Sequence, residues 1–390
     1  MTTAAELVAV WRAAVAACDP RVVVGDAIAE MELKPGPVSV VAIGKAAGAM
    51  AAGAVDGLAA RGIGIRDGIV VTVDGVGVPE TVTGSGLRVR RAGHPVADGR
   101  SEAAGREVME LARGVGVDEV MLVLVSGGAS ALMAVPRDGV TRAEKVARVG
   151  EVMRSGAAIG EINRVRGELS AVKGGRLAAM CPGRVVTLVV SDVPGDDVGV
   201  VGSGPTVPGK EGDVVRLVAG METLRRVAAT KLGDRVAGSG RRAAGIGPTV
   251  GERAGVMVGT VDEVMREVVG VAQRIEAGGA WVAGGEWTVA VTGEGRGGRA
   301  THLALMVARE IAGLDGVRVL VAGSDGIDGT GPWAGAVVDG ETWARVASEG
   351  ERGLRECDSG TVLAAVGATI TSGPTGVNHA DLVIVVRPET

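Results

Sequence analysis

Short apolar runs alternate with longer stretches of helical periodicity along most of this chain, and that alternation sets the first expectation for its fold. Residues 1 to 31 carry Ala, Val, Leu and Trp11 at helical spacing, with Pro20 as an interruption. Val38–Ile43, Gly68–Val73, Leu87–Ala92, Val120–Val125 and Val185–Val190 read as strands. Between them, Gly44–Leu58, Ser101–Arg113, Thr141–Ala158 and Ile162–Ala178 read as helices, a further one starts at Ala129–Met133, and Ser101 is an expected N-cap. From Pro208 to about Val236 the pattern is helical, and Gly238–Pro248, rich in Gly, Ser and Arg, is the expected linker. Beyond it, Val256–Val258, Trp281–Ala283, Trp287–Val291, Val317–Val321 and Leu382–Val386 read as strands. Val261–Ala277, His302–Ile311 and Trp343–Glu349 read as helices. Strands that alternate with helices predict a parallel sheet covered on both faces. The expected architecture is α/β: a doubly wound, mostly parallel, Rossmann-like domain over 1–245, then a smaller mixed α/β domain over 246–390.

Composition narrows the function classes. A length of 390 residues allows two or three domains, and 46% hydrophobic with 22% charged residues describes a soluble globular protein. No stretch reaches the roughly 18 to 20 uninterrupted apolar residues that a membrane span needs. Met1–Arg12 contains Glu6 and no basic segment followed by an apolar run, so no signal peptide is expected. Cys18, Cys181 and Cys357 are far apart and form no metal or disulfide spacing, which favours a cytoplasmic location. A net charge of −5 argues against a nucleic-acid surface, so local cations must hold any anionic ligand. Neither nucleic acid nor membrane is expected as a partner, and a homodimer is left open. Phe and Tyr are absent, so the core must be built from Val, Leu, Ile, Ala and Met with five Trp.

Four Gly-rich turns follow apolar runs, and they carry the candidate chemistry. They are Ile43-Gly44-Lys45-Ala46, Ser126-Gly127-Gly128-Ala129-Ser130, Gly293-Glu294-Gly295-Arg296-Gly297-Gly298-Arg299 and Gly323-Ser324-Asp325-Gly326-Ile327-Asp328-Gly329. A strand, a Gly turn and a helix start together present bare N–H groups and a positive dipole end to an anion. Lys45 adds a cation to one turn, and Arg296 and Arg299 add cations to another. An Arg fork can stabilise charge on transferring oxygens without losing its proton. Asp325 and Asp328, hard oxygen ligands three residues apart, suit magnesium through water, with Asx-turn chemistry as the competing reading. The Lys45 turn is not a Walker A loop, because Ala46 stands where Ser or Thr would bind magnesium. The Ser126 turn is not a Gly-x-Ser-x-Gly nucleophile elbow.

The order of several further motifs resembles the class II glycerate 2-kinase family. They are Ala92-Gly93-His94-Pro95, Ser-Gly-Gly-Ala-Ser-Ala-Leu (126–132), Glu-Ile-Asn-Arg-Val-Arg (161–166), Lys-Gly-Gly-Arg-Leu-Ala (173–178), Ser-Asp-Val-Pro-Gly-Asp (191–196) and Gly-Ser-Gly-Pro-Thr (202–206). Gly284-Gly285-Glu286, the Arg296–Arg299 loop, Asp325–Gly329 and Thr375-Gly-Val-Asn378 resemble that family's C-terminal MOFRL domain. The resemblance implies transfer of phosphate from ATP, with Mg2+, to the 2-hydroxyl of D-glycerate in a cleft between the domains. It also implies phosphate or substrate contacts by Asn163, Arg164 and Lys173 beside Ser126, Gly127, Gly128 and Ser130. Arg166 and Lys173, seven apart on one expected helix, would share a face. Lys45 and Arg299 are the expected neutralisers of phosphate and Arg296 a further phosphate contact. Asp192, at a strand end, is the expected acceptor of the hydroxyl proton. Asp197 is expected to cap a turn, His94 to be structural, and no zinc site is expected. An NAD(P)H-dependent hydroxypyruvate reductase is the competing enzyme class, although the first strand lacks Gly-x-Gly-x-x-Gly and the acidic residue about 20 positions on. A non-catalytic sugar-acid or nucleotide sensor is the third.

Overall fold

The computed structural model describes residues 3–33, 36–156, 159–237 and 256–389. Its first sheet contains β1 (Val38–Ile43), β2 (Ile65–Val73), β3 (Arg88–Ala92), β4 (Val120–Ser126), β5 (Arg184–Val190) and β6 (Val214–Ala219). These are ordered β3-β2-β1-β4-β5-β6, and every neighbouring pair is parallel. That is the doubly wound order expected of a Rossmann-like domain, and its direction reverses between β1 and β4. All residues of β1 and β4 are buried, which is why both read as unbroken apolar runs rather than alternating ones. Ligands of such sheets sit outside the carboxyl ends of the strands at the reversal, so the fold itself points to the turns after Ile43 and Ser126.

The second sheet contains β7 (Val256–Thr260), β8 (Gly279–Thr288), β9 (Arg318–Gly323), β10 (Gly335–Asp339), β11 (Thr369–Ile370) and β12 (Asp381–Arg387). Its order is β11-β10-β9-β12-β8-β7, and only β7 and β8 run parallel. The smaller mixed domain is therefore present as expected. Helix Arg299–Glu310 covers this sheet with Leu303, Ala304, Leu305 and Val307 fully buried.

The compact units are not cut at residue 245. One is drawn from Met1–Asp19 with Met221–Thr390, the other from Pro20–Gly220. The cause is helix Ala4–Ala16, which packs on helix Met221–Ala237 and on β9, while helix Met221–Ala237 packs on β8. All five Trp (Trp11, Trp281, Trp287, Trp333 and Trp343) belong to the discontinuous unit. The parallel-sheet unit is packed from Val, Ile, Leu, Met and Ala without one aromatic ring from Phe, Tyr or Trp.

Several local expectations need correction. The stretch from Pro208 is not one helix: β6 pairs with β5 before helix Met221–Ala237 begins. Trp281–Ala283 and Trp287–Val291 are not two strands, because β8 runs through Gly284 and Gly285. A Cβ at Gly285 would lie 1.9 Å from the Met257 carbonyl oxygen, so that glycine serves close strand approach and not a turn. Ile162–Ala178 is two helices, Ile159–Glu168 and Arg176–Met180. Ser101 is the third residue of helix Gly99–Arg113, whose cap is Asp98: the Ser101 N–H donates to Asp98 Oδ1 at 3.1 Å, and the Asp98 N–H donates back to Ser101 Oγ. Gly238–Pro248, the expected linker, lies outside the described residues.

Candidate active site

The turns after β1 and β4 are stitched together at the sheet's reversal point. Gly44 has φ +131, and a Cβ there would stand 2.1 Å from Ser126 Oγ, so only glycine admits the serine. The Ala46 N–H donates to Ser126 Oγ at 3.1 Å, and the Lys45 N–H donates to the Gly127 carbonyl at 2.8 Å. Helix Ala47–Ala60 starts there with no side-chain cap. Its positive dipole end and the Lys45 side chain, which is exposed, therefore lie together. Among the described residues, the Lys45 ammonium makes no hydrogen bond and no ion pair.

Asp192, two residues beyond β5, reaches the same place. A Cβ on Gly127 would fall 1.8 Å from Asp192 Oδ2, so the carboxylate rests directly on the glycine turn. The Cβ position of Gly128 lies 3.1 Å from His94 Cδ2 and 3.3 Å from Lys45 Cγ. Burial, then the Lys45 ammonium, hold the His94 imidazole below its ordinary pKa, with Asp192 pulling the other way. Lys45, Asp192 and His94 thus share one patch. Sequence reasoning set His94 aside, and its position after β3 at the same sheet end was the signal that could have included it. Asp197 accepts the Gly199 N–H at 2.8 Å, the turn role expected of it.

A deeper group lies behind this patch. Lys173 is 3% exposed, and its ammonium donates to Ser130 Oγ. Ser130 Oγ also accepts from Ser203 Oγ at 3.2 Å. Burial, then Lys145 and Arg166, push the Lys173 pKa down to about 7. Burial pushes Lys145 down to about 8, with Glu102 opposing. These residues line a cavity of about 650 Å³ that His94, Gly128 and Ser130 also border. Lys173 is not on the helix of Arg166, which ends at Glu168, so the expected shared face is replaced by a turn that brings the two cations together from separate segments.

Arg164 departs from expectation. It is exposed and ion-paired to Glu161 at 2.6 Å and to Glu168, and it does not line this cavity. Two positions along an α-helix rotate a side chain by about 200°, so Arg164 and Arg166 face opposite ways. Asn163 sits on the same helix, and its side chain lies outside the described residues. The one-turn helix Ala129–Leu132 is all that follows the Ser126 turn.

The discontinuous unit holds a different kind of site. Arg299 donates through Nε to Asp381 Oδ2 at 2.6 Å and through Nη1 to Glu286 Oε1 at 2.5 Å. Asp381 is buried, and burial pushes its pKa up to about 7 against the pull of Arg299. Asp328 is a helix cap. Its Oδ2 accepts from the Thr301 N–H at 2.7 Å, the Thr301 hydroxyl at 2.6 Å and the Gly298 N–H at 3.0 Å, and its Oδ1 accepts from the Ala300 N–H at 3.0 Å. Both oxygens accept hydrogen bonds at the start of helix Arg299–Glu310, a capping role that competes with the expected one as a metal ligand, and Asp328 also lines the cavity beside Asp325. Asp325 Oδ1 accepts the Ile327 N–H at 3.1 Å, an Asx turn, and its side chain borders a cavity of about 340 Å³ with Arg299, Trp287, Asn378 and Asp381. Arg296 is held otherwise: its guanidinium lies 5.7 Å from the centroid of the Trp333 ring, and its backbone N–H donates to Asp358 Oδ1 at 2.9 Å. Among the described residues no group of three or more His, Cys, Asp or Glu could hold a metal ion.

Comparison with known proteins bears on the family and the fold. Residues 6–232 match the domain of unknown function DUF4147, and residues 279–381 match the MOFRL family. A D-glycerate 2-kinase of Thermotoga maritima is 34% identical over 89% of this chain and 90% of its own. A protein of Agrobacterium vitis that carries a provisional hydroxypyruvate reductase name is 35% identical over 96% of this chain and 92% of its own. The crystal structure of a Thermotoga maritima glycerate kinase superposes with a TM-score of 0.83 and 29% identity, covering 97% of this chain and 98% of that one. No helix among the described residues is long and apolar enough to cross a membrane. With a parallel Rossmann-like sheet ahead of a MOFRL region and near-complete coverage of such relatives, the chain belongs to the class II glycerate 2-kinase family.

Proposed function

We propose that this protein transfers the γ-phosphoryl group of ATP to the 2-hydroxyl of D-glycerate, giving 2-phosphoglycerate and ADP. One observation carries the reading: Lys45, without an ion pair among the described residues, stands at an uncapped helix start on the sheet's reversal point, against Asp192 and His94. Phosphoryl transfer through a loose transition state asks for positioning and charge neutralisation, which these groups supply. The acceptor oxygen forms its bond to the γ-phosphorus as the bond from phosphorus to the ADP oxygen breaks. Lys45 and the N–H groups of helix Ala47–Ala60 balance the charge that gathers on the phosphoryl oxygens. Asp192 takes the hydroxyl proton. His94, held toward its neutral form, can orient that hydroxyl without adding charge.

Magnesium fits only in part. With Asp328 capping its helix, no protein cage of carboxylates is on offer among the described residues. Magnesium keeps most of its water and takes one or two carboxylates with substrate phosphates, so we assign it to the nucleotide's phosphates. When bound, it would neutralise phosphate charge. Arg299, already between two carboxylates, brings little free charge to a phosphoryl group, and we assign it to ordering that cluster.

The reductase reading has the names of two relatives in its favour and the site against it. Asp74, which directly follows β2, is doubled onto Arg100 at 3.0 and 2.8 Å, and no Gly-x-Gly-x-x-Gly follows β1. The deciding measurement is a coupled assay with glycerate, ATP and magnesium that detects 2-phosphoglycerate. Hydroxypyruvate-dependent NADH oxidation by pure protein, with no ADP formed from glycerate, overturns the assignment. Asp192→Asn should lower kcat with little change in KM for ATP, because the lost interaction exists mainly in the transition state. Normal turnover of that variant removes Asp192 from the mechanism.

A further inference from the structure

We propose that the cavity behind Gly128 is the pocket of the acceptor acid, with the acid's carboxylate seated among Lys173, Lys145 and Arg166 and its hydroxyl end turned toward Lys45 and Asp192. This rests on the kinase reading for the direction of the hydroxyl, but not for the binding of the acid.

The first ground is charge. Lys173 and Lys145 are 3% and 8% exposed, and they share a cavity wall with Arg166 and Arg142. Among the described residues no carboxylate lines that cavity. Glu102 acts on Lys145 at a distance, and neither lysine has an ion pair among the described residues. Lys173 donates to a serine hydroxyl and Lys145 to the Val135 carbonyl at 3.5 Å, both neutral acceptors. Buried cations are held by anions in stable proteins, and a lysine without one loses its proton instead. The depressed pKa values of the pair are the sign of that missing anion. A ligand carboxylate supplies it and restores the charge on both ammonium groups.

The second ground is geometry. Gly128 belongs to the cavity wall, and the side-chain position it leaves open lies against His94 and Lys45. An acid anchored on Lys173 and Ser130 therefore projects its far end to the patch where Lys45, His94 and Asp192 meet. The lining is also graded in polarity. Lys173 and Ser130 form the deep end, while Val146 and Met153 form the outer wall and are 61% and 52% exposed. A carboxylate matches the inner end. A nucleotide's phosphates are the competing anion, and they have Lys45 and the helix start outside the cavity.

The test separates the two anions and separates this inference from the kinase reading. Lys173→Met should raise KM for D-glycerate about 10- to 100-fold, the loss expected for a charge-assisted contact, with KM for ATP nearly unchanged. Calorimetric titration of D-glycerate into nucleotide-free protein should show binding that the variant weakens by a similar factor. A rise in KM for ATP with glycerate affinity intact would assign the cavity to phosphate and overturn the proposal. So would unchanged values for both substrates in a folded variant. Calorimetry is independent of turnover: Lys173-dependent glycerate binding in a protein that forms no ADP sustains the pocket and rejects the kinase. If Lys173→Met does not fold, Ser130→Ala and Arg166→Met test the same prediction, each with a smaller rise in glycerate KM. Normal glycerate affinity in both overturns it.

Discussion

The two sheets treat their cations in opposite ways. At the reversal of the parallel sheet, Lys45, Lys145 and Lys173 have no carboxylate partner among the described residues. At the strand ends of the mixed sheet, Arg299 is already bridged by Asp381 and Glu286, and Arg296 lies over Trp333. An unpaired cation is free energy held in reserve for an incoming anion, whereas a bridged one has spent it on the fold. The contrast is the basis for proposing catalysis and substrate binding at Lys45, Lys145 and Lys173, and an architectural role for Arg296 and Arg299.

The sharpest way to break this contrast is Lys45→Ala. It should reduce kcat by about 10²–10³, equal to roughly 3–4 kcal/mol of transition-state stabilisation, with an unchanged melting curve. Steady-state kinetics beside thermal denaturation checks it, and a folded variant with normal kcat would place Lys45 among the structural residues. Asp381→Ala should do the reverse. It should cost about 2–3 kcal/mol of stability, below the roughly 3–5 of a fully buried pair because Arg299 keeps solvent contact and Glu286. Asp328→Ala removes a helix cap and should cost about 1–2 kcal/mol by urea denaturation. Retention of magnesium-dependent activity in that variant would support the capping role, and loss of activity without loss of stability would return Asp328 to the metal.

A pH titration sharpens the same comparison without mutation. Lys173 has a folded pKa near 7, below the ordinary lysine value of 10.5, so the unfolded chain binds more protons between them. Its contribution makes the unliganded parallel-sheet unit more stable as pH rises from about 7 toward about 10. Asp381 has a folded pKa near 7, above the ordinary 3.8, so the folded state binds more protons between those values. Its contribution makes the mixed-sheet unit less stable as pH rises from about 4 to about 7. Hydrogen exchange across this range reads each unit separately, and Lys173→Met should flatten the first slope alone. The smallest effect is expected from Arg296→Met, about 0.5–1 kcal/mol for an exposed cation over a ring, with kcat little changed.

Strands β1 and β4 of the parallel sheet were plain because they are unbroken apolar runs ending in Gly turns. The strand β6 was hidden because Arg216 interrupts its apolar residues and helix Met221–Ala237 follows within two residues, so one helical window covered both. The reading of β8 as two pieces took Gly284 and Gly285 for a break, when close packing against β7 required glycine. Within the site, Lys45 and Asp192 were legible because each ends a strand of the same sheet. The choice of Arg164 over Arg166 was not, since neighbours two apart on a helix differ only in the direction they face. Nor was the join of Ser130 to Lys173, 43 residues apart, which only the fold brings together. The motif of Asp325 and Asp328 shows two carboxylates suited to a metal, and only the approach of helix Arg299–Glu310 reveals what the Asp328 oxygens bind.

The uneven placement of Trp gives the molecule an optical asymmetry. With no Tyr or Phe anywhere and every Trp in the discontinuous unit, near-ultraviolet absorbance and intrinsic fluorescence arise from that unit alone. Trp287 is 1% exposed, and its Nε1–H donates to the Arg299 carbonyl at 3.1 Å, so its emission reports on the arginine cluster directly. The parallel-sheet unit, where the proposed chemistry resides, is dark. Fluorescence and far-ultraviolet dichroism followed in one denaturation would therefore separate the melting of the two units without any label, and a single tryptophan placed beside the Lys173 cavity would give the silent unit its own signal.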